Sequence, residues 1–311
     1  MNLPKAHRYI IITDENLAEL FGAKIKKEIE TETGKQVDIL TFPPGDASKS
    51  RAVKAKLETQ MLALGCGRDT LIVTLGGGVA GDLGGFIAAT YMRGIPYVQI
   101  PTTLLAMADS SIGGKTGVNT KEGKNLIGAI WHPEKVIRRL EFLDTLSDAQ
   151  FKSGLFEIIK IFLSHDAKSF AYVEKNLDAI LGRDKIMLQE ILNQAIKLKT
   201  KIVEIDEREK GERKLLSFGH TIGHAIENEE NYESEHGFAV AEGVLEESKI
   251  SLERGHLSQE EFERIEALLL RLNIISQNRV YKNSPLDKKN EAGQEKIVLL
   301  KRIGEAFLTN K

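Results

Sequence analysis

The chain has 311 residues, 41% of them hydrophobic and 28% charged, with a formal net charge of −2. That length suits one large domain or two ordinary ones, and so small a charge gives no general attraction to nucleic acid or an anionic membrane. The single cysteine, Cys66, excludes an intrachain disulfide and points to a reducing, cytoplasmic setting, and no apolar run matches a signal peptide or a bilayer span.

The first half alternates strand-like and helix-like segments. Tyr9–Thr13 reads as a strand. Asn16–Thr31 has helical spacing through Leu17, Leu20, Phe21, Ile25 and Ile29. Gln36–Phe42 reads as a strand, Ser48–Leu64 as a helix, and Thr70–Leu75 and Ile95–Ile100 as two more strands. Such alternation predicts a parallel sheet with right-handed crossovers. From Phe142 to Lys201 the pattern is nearly all helical. Further helices are predicted over His220–Glu230, Ala239–Arg254 and Gln259–Asn273, and β-structure over Glu295–Leu300 and Ala306–Thr309. The fold predicted is an α/β nucleotide-binding domain with a parallel sheet over residues 1–140, followed by a mainly α-helical domain over 141–311.

Two loops carry chemistry. Gly76-Gly77-Gly78-Val79-Ala80-Gly81-Asp82 follows a buried strand, where glycines let a backbone approach a phosphate and a following helix N-terminus favours its charge. An ordinary tight turn explains it equally well, and its spacing is not the usual dinucleotide fingerprint. Pro101–Asn125 reads as a long loop bearing Thr102, Thr103, Asp109, Ser110, Ser111, Lys115, Lys124 and Asn125. A loop of that length in a compact domain is more often functional than idle.

The second half supplies metal-type ligands. Glu157 and Lys160 share one face of an apolar helix, and a simple ion pair is the plainer account of them. His220 and His224 stand at i, i+4, and His236 lies further along the chain. Imidazoles with one carboxylate suit zinc or a similar ion. Spacing alone nominates His220 and His224 as the ligand pair.

Taken in order, Pro43–Lys49, Gly76–Arg93, Pro101–Trp131, Lys199–His224 and Asp287–Lys289 resemble the 3-dehydroquinate synthase family of sugar-phosphate cyclases, and the resemblance runs from about Ile10 to Gly304. It implies an NAD domain, a helical metal domain, and an active site in the cleft between them. It implies NAD contacts from Asp14, Asn16, Pro44, Gly45, Asp46, Lys49, Gly77, Gly78, Val79, Ala80, Gly81, Asp82, Thr102, Thr103, Lys115, Lys124, Phe142, Leu143, Asp144 and Thr145. The implied ligands of Zn2+ or Co2+ are Glu157, His220 and His236, which makes His224 a neighbour of the ion and displaces the pair that spacing favours. Asp109, Lys115, Asn125, Lys160, Lys199, Arg213 and Lys288 would hold the substrate, and Arg93 would reach a phosphate across a homodimer interface.

The reaction implied is conversion of a small phosphorylated keto acid, 3-deoxy-arabino-heptulosonate 7-phosphate, to 3-dehydroquinate. It runs through transient oxidation by NAD, phosphate elimination, re-reduction and an aldol closure. Several positions depart from the family pattern: Ser217 stands where Asn is usual, Phe238 where an acidic residue is usual, Glu242 where an apolar one is usual, and Ile161-Phe162 where a small or Tyr-Gly continuation is usual after Lys160. Competing readings are a sibling cyclase, a metal-dependent alcohol or glycerol dehydrogenase, and an inactive scaffold. Arg213, Lys199 and Asp287–Lys289 favour a substrate with a carboxylate.

Overall fold

A computed structural model describes residues 1–229, 235–275 and 296–310. The chain forms two compact units, Met1–Leu143 and Asp144–Lys311. The first opens on β1 (Arg8–Asp14), whose RYIIITD run is buried at its five central residues. A short helix α1 (Glu15–Leu17) passes through a π turn at Ala18–Gly22 into α2 (Ala23–Thr33). There follow β2 (Val37–Phe42), α3 (Arg51–Ala63), β3 (Thr70–Gly76), α4 (Gly78–Thr90), β4 (Tyr97–Pro101), β5 (Lys115–Thr120), β6 (Gly123–Ile130) and β7 (Lys135–Val136).

Five strands make one parallel sheet in the order β2-β1-β3-β4-β7. All seven residues of β3 are buried, as a parallel strand covered on both faces requires. Ile10, Ile12, Ile72, Leu57, Leu83 and Ile87 form a core beside that sheet. Helix α4 lies unusually close. A Cβ on Gly84 would sit 2.4 Å from Thr74 Cγ2, and one on Gly85 2.5 Å from Thr116 Cγ2. Glycine inside a helix costs about 0.5–1 kcal/mol relative to alanine, so these two gain proximity at the expense of propensity.

Two expectations fail here. The helix predicted from Asn16 contains the π turn, whose extra residue rotates the remainder of the helix by ~100° about the axis, and Leu20 is left 57% exposed. The stretch predicted as an irregular loop, Pro101–Asn125, instead holds a π turn at Ala106–Ser110 and the antiparallel pair β5–β6. Gly117 and Gly128 lie opposite each other in that pair, so close that a Cβ on Gly128 would fall 1.9 Å from the Thr116 carbonyl oxygen. Only glycine permits that approach, and the same glycines hide the strand alternation.

The second unit carries α5 (Asp148–His165), α6 (Ala167–Leu181), α7 (Lys185–Ile205), α8 (His220–Glu229), α9 (His236–Glu253), α10 (Gln259–Arg271) and the hairpin β8 (Lys296–Arg302) and β9 (Glu305–Asn310). Side-chain caps start most of these helices: Ser147, Asp166, Asp184 and Ser258 each accept first-turn N–H groups. Helix α5 is the central element, with Leu155, Phe156, Ile158, Ile159, Ile161 and Phe162 all buried. Helix α9 begins at His236, three residues before the predicted start at Ala239. Among the described residues no helix is long and apolar enough to cross a membrane.

At the end of α5, His165 Nδ1 lies 2.7 Å from Ser164 Oγ, while its buried Nε2 has no hydrogen-bond partner. Burial, reinforced by the Lys160 ammonium, pushes its pKa from 6.5 down to about 4. The folded state therefore keeps this ring neutral where the unfolded chain would protonate it. Stability should be full above pH 6.5 and fall as pH drops from 6.5 through 4, by about 3 kcal/mol at most. Urea unfolding of wild type and His165→Gln across that window checks this; equal pH slopes would refute it.

Candidate active site

The residues expected to meet a dinucleotide follow the carboxyl ends of parallel strands. Asp14 ends β1, and Asn16 lies just beyond it. Pro44, Gly45, Asp46 and Lys49 follow β2. Gly77, Gly78, Val79, Ala80 and Gly81 follow β3, and Thr102 and Thr103 follow β4. Parallel pairing brings all four connections to one edge of the sheet, where β2 and β3 flank β1 on opposite sides. Such a switch of strand order opens a crevice at that edge.

Local geometry explains the glycines there. A Cβ on Gly76 would lie 2.6 Å from the Ala80 Cβ, and one on Gly77 3.1 Å from Thr103 Cγ2. Gly77 offers no side chain to cap α4, so the first-turn N–H groups have no side-chain acceptor at that end. Asp14 does cap, accepting from Leu17 N–H at 3.0 Å.

A polar network ties the β2 loop to α4 and the hairpin. The buried Lys49 Nζ donates to Asp82 Oδ2 at 2.5 Å and also to Asn125 Oδ1. Asn119 Nδ2 donates to Asp46 Oδ2 at 3.0 Å, and Lys124 Nζ stands 3.6 Å from the same oxygen. Lys115 is exposed at the start of β5. Asp109 lies in the π turn, which Arg138 holds from below through its donations to the Met107 carbonyl at 2.8 Å and Ser111 Oγ at 3.2 Å. Burial pushes the Arg138 guanidinium down to about 10. Nothing in the chain pattern singles out Arg138, because an arginine near a strand end reads as a solvated charge.

Phe142 is buried edge-on against Phe21, with ring centroids 5.0 Å apart, and Leu143 is buried beside it. Asp144 and Thr145 are exposed and belong to the second unit, where Asp144 pairs with Lys185. Arg93 is exposed in a turn whose Met92 and Arg93 both take left-handed backbone, φ 50° and 68°.

In the second unit Glu157, His220 and His236 converge, one from each of α5, α8 and α9. One ligand atom from each lies within 4.8 Å of the others. Glu157 is 1% exposed, and its Oε2 accepts from Lys160 Nζ at 2.5 Å. Its other oxygen, Oε1, has no hydrogen-bond partner and faces His220 Nε2 at 3.7 Å and His236 Nε2 at 3.5 Å. A buried carboxylate oxygen left in this way costs free energy unless something charged sits against it.

The two imidazoles are oriented from behind. His220 Nδ1 lies 3.3 Å from the Phe218 carbonyl, which can only accept, and His236 Nδ1 lies 3.2 Å from Glu227 Oε1. Both rings thereby turn Nε2 toward Glu157, the arrangement that oxygen acceptors impose on metal-binding histidines. Sequence reasoning missed Glu227, buried on α8 against His236, since a glutamate there looks like an ordinary surface position. His224 is exposed. Its ring centroid is 5.2 Å from that of His220 and 6.2 Å from that of His236.

Electrostatics follow from this geometry. Burial works to raise Glu157, but the Lys160 ammonium and then His220 and His236 hold it well below the usual carboxylate range. Burial, then Lys160, keeps His220 well below its ordinary value and so neutral. Burial also opposes charge on His236, yet the neighbouring carboxylates of Glu157 and Glu227 raise it to about 9. Two imidazoles and one carboxylate with an open side fit a catalytic zinc-type ion, and capture of an ion would displace the His236 proton.

Lys199 is buried on α7. Arg213 is buried in the turn Glu212–Ser217, where its own N–H donates to Asp206 Oδ2 at 3.1 Å and its guanidinium to the Glu207 carbonyl. Phe238 packs edge-on against Phe156 at 5.1 Å, which gives that departure a packing role, and Ser217 is half-buried just ahead of α8. Lys288, with Asp287 and Lys289, lies outside the described residues.

Known proteins match this arrangement along nearly its whole length. The family model for the N-terminal part of 3-dehydroquinate synthase matches residues 39–153, and that for the C-terminal part matches residues 154–290. The 3-dehydroquinate synthase of Psychrobacter arcticus is 40% identical over 308 residues, covering 97% of this chain and 79% of that protein. The structure of 2-epi-5-epi-valiolone synthase from Streptomyces hygroscopicus subsp. jinggangensis, with NAD+ and Zn2+ bound, matches with a TM-score of 0.90 at 26% identity over 98% of this chain and 88% of that one. A 2-deoxy-scyllo-inosose synthase complexed with carbaglucose-6-phosphate, NAD+ and Co2+ matches with a TM-score of 0.87 at 27% identity, covering 99% and 89%. With two family models matched end to end over residues 39–290 and a relative 40% identical to it over nearly its whole length, this chain belongs to the 3-dehydroquinate synthase family.

Proposed function

We propose that this chain converts 3-deoxy-arabino-heptulosonate 7-phosphate to 3-dehydroquinate and phosphate, a carbon–oxygen lyase reaction with no net consumption of NAD. The single observation that carries the reading is the convergence of Glu157, His220 and His236 around an otherwise partnerless buried carboxylate oxygen. The 40% identity to a 3-dehydroquinate synthase supports the choice of substrate.

In this reading residues 1–140 are the cofactor domain and 141–311 the metal and substrate domain. Bound NAD supplies a reversible hydride acceptor, and the bound ion, Zn2+ or Co2+, supplies a Lewis acid for the substrate's alcohol oxygens. Glu157, His220 and His236 hold the ion. Gly77, Gly78, Val79, Ala80 and Gly81 present the uncapped N-terminus of α4 to the pyrophosphate, with Asp14 and Asn16 toward a ribose. Pro44, Gly45, Asp46, Lys49, Asp82, Thr102, Thr103, Lys124, Phe142, Leu143, Asp144 and Thr145 shape the rest of that pocket.

Asp109, Lys115 and Asn125 of the first unit, and Lys160, Lys199, Arg213, His224 and Lys288 of the second, are assigned to the substrate. The Arg213 guanidinium suits the carboxylate through a bidentate fork, and lysines suit the phosphate as point charges. Lys160, donating to Glu157 Oε2, keeps that carboxylate ionised for the ion. A homodimer is proposed in which Arg93 reaches the partner's substrate phosphate; its outward place on a left-handed turn supports this. A cytoplasmic location is proposed from the lone, buried Cys66, whose thiol burial pushes up.

Redox balance tests the reading against a dehydrogenase. With NAD and substrate the protein should form a carbocyclic product, visible by carbon NMR, while absorbance from NADH stays flat. NADH rising in step with substrate loss would overturn the cyclase reading.

A further inference from the structure

Helix α8 begins at His220 directly after Gly219, a residue with no side chain and φ +78°. The chain ahead of it therefore brings no local N-cap group, yet the first turn is deeply buried at Thr221, Ile222 and Gly223. Buried N–H groups need acceptors. A carboxylate from another helix provides them. Glu247 of α9 is 0% exposed, and its Oε2 accepts from Gly219 N–H at 2.6 Å while Oε1 accepts from Thr221 N–H at 3.1 Å and Ile222 N–H at 3.2 Å.

Three glycines make this reach possible. A Cβ on Gly219 would fall 2.5 Å from Val244 Cγ2, one on Gly223 2.9 Å from the Ala239 carbonyl oxygen, and one on Gly243 2.0 Å from the Gly219 carbonyl oxygen. The two helix backbones thus touch where the carboxylate crosses. We propose that Glu247 is the positioning residue for His220: its carboxylate clamps the amides of Gly219, Thr221 and Ile222 and so fixes where His220 Nε2 stands relative to Glu157 Oε1. The bonds are charge-assisted and the anion sits at a helix N-terminus, two reasons for the clamp to be stiff. The inference rests on His220 being a ligand of the divalent ion.

The test uses the full chain and Zn2+ or Co2+ added to metal-free protein. Glu247→Gln should raise the Zn2+ dissociation constant by about 10- to 100-fold, the usual effect of losing support behind a ligand, and should shift the ligand-field bands of the Co2+ form. Ser258→Ala, which removes the Glu261 N–H acceptor that starts α10, should lower the melting temperature with the dissociation constant and Co2+ bands unchanged. A Glu247→Gln protein with wild-type affinity and Co2+ bands would overturn the proposal, whatever its melting temperature. If that variant does not fold, amide exchange in the wild type decides. The Thr221 and Ile222 amides should be as protected as mid-helix ones, and exchange at the rate of free first-turn amides would refute the clamp. Wild-type protein that binds no divalent ion would overturn the metal reading first, and the clamp with it.

Discussion

Glu157→Gln should leave the protein folded but unable to retain a divalent ion, with phosphate release falling to background. The carboxylate is the only anionic member of the ligand set, and its Oε1 faces both imidazole Nε2 atoms at 3.5 and 3.7 Å. Glutamine keeps the shape and loses the charge. It also leaves the buried Lys160 ammonium facing a neutral amide where it had a carboxylate 2.5 Å away. Removing one partner of a buried pair typically costs about 3–5 kcal/mol, so stability should drop as well. Metal content by elemental analysis separates the two effects: His220→Ala and His236→Ala should also lose the ion, without taking the carboxylate from beside Lys160. His224→Ala should keep the ion and lose turnover. An ion retained by His236→Ala but lost from His224→Ala would mean that helical spacing had named the right pair.

Gly237→Ala should be strongly damaging for a single added methyl group, because it pushes directly on the helix that carries Glu157. A Cβ there would lie 2.2 Å from the Ser153 carbonyl oxygen and 2.5 Å from the Ser153 Cα, both backbone atoms of α5. No rotamer relieves such a clash, so α9 must move away from α5. The Gly237 N–H bond to Ser153 Oγ, 3.0 Å long, is lost with it. These two helices carry His236 and Glu157, so the displacement opens the ligand set directly. Overpacking costs roughly 1–3 kcal/mol and more where backbone must shift. Both melting temperature and Zn2+ affinity should fall. Gly255→Ala is the control: its φ of +72° penalises any side chain, but nothing lies within 4 Å of the added methyl. It should lose about 1 kcal/mol through backbone strain and leave Zn2+ affinity unchanged. Equal metal affinity in wild type and Gly237→Ala would show that the contact sets stability alone.

Legibility in the sequence followed the range of the signal. Strands such as Arg8–Asp14 and Thr70–Gly76 are continuous apolar runs, so the parallel sheet and its edge of loops could be read directly. The hairpin at Lys115–Ile130 could not, because Gly117, Gly123 and Gly128 replace the apolar residues that would mark alternation. Strand β7 has only two residues and no pattern to read.

The metal-type cluster shows the same limit. The i, i+4 rule identifies residues on one face of one helix, and so it favoured His224. His236 opens a different helix, and nothing local links its ring to Glu157; the resemblance, not spacing, selected it. Glu227 and Glu247 were invisible for a related reason. A glutamate on a helix normally faces water, and only the packing of α8 on α9 shows that these two orient His236 and hold the backbone around His220.

The most direct measurement is phosphate release from 3-deoxy-arabino-heptulosonate 7-phosphate by chelator-stripped protein, with NAD present, before and after one equivalent of Zn2+ or Co2+ is returned. The structure predicts no release from the stripped protein, restoration on adding the ion, and no NADH left at the end. Release that persists undiminished without the ion would contradict the role given to Glu157, His220 and His236.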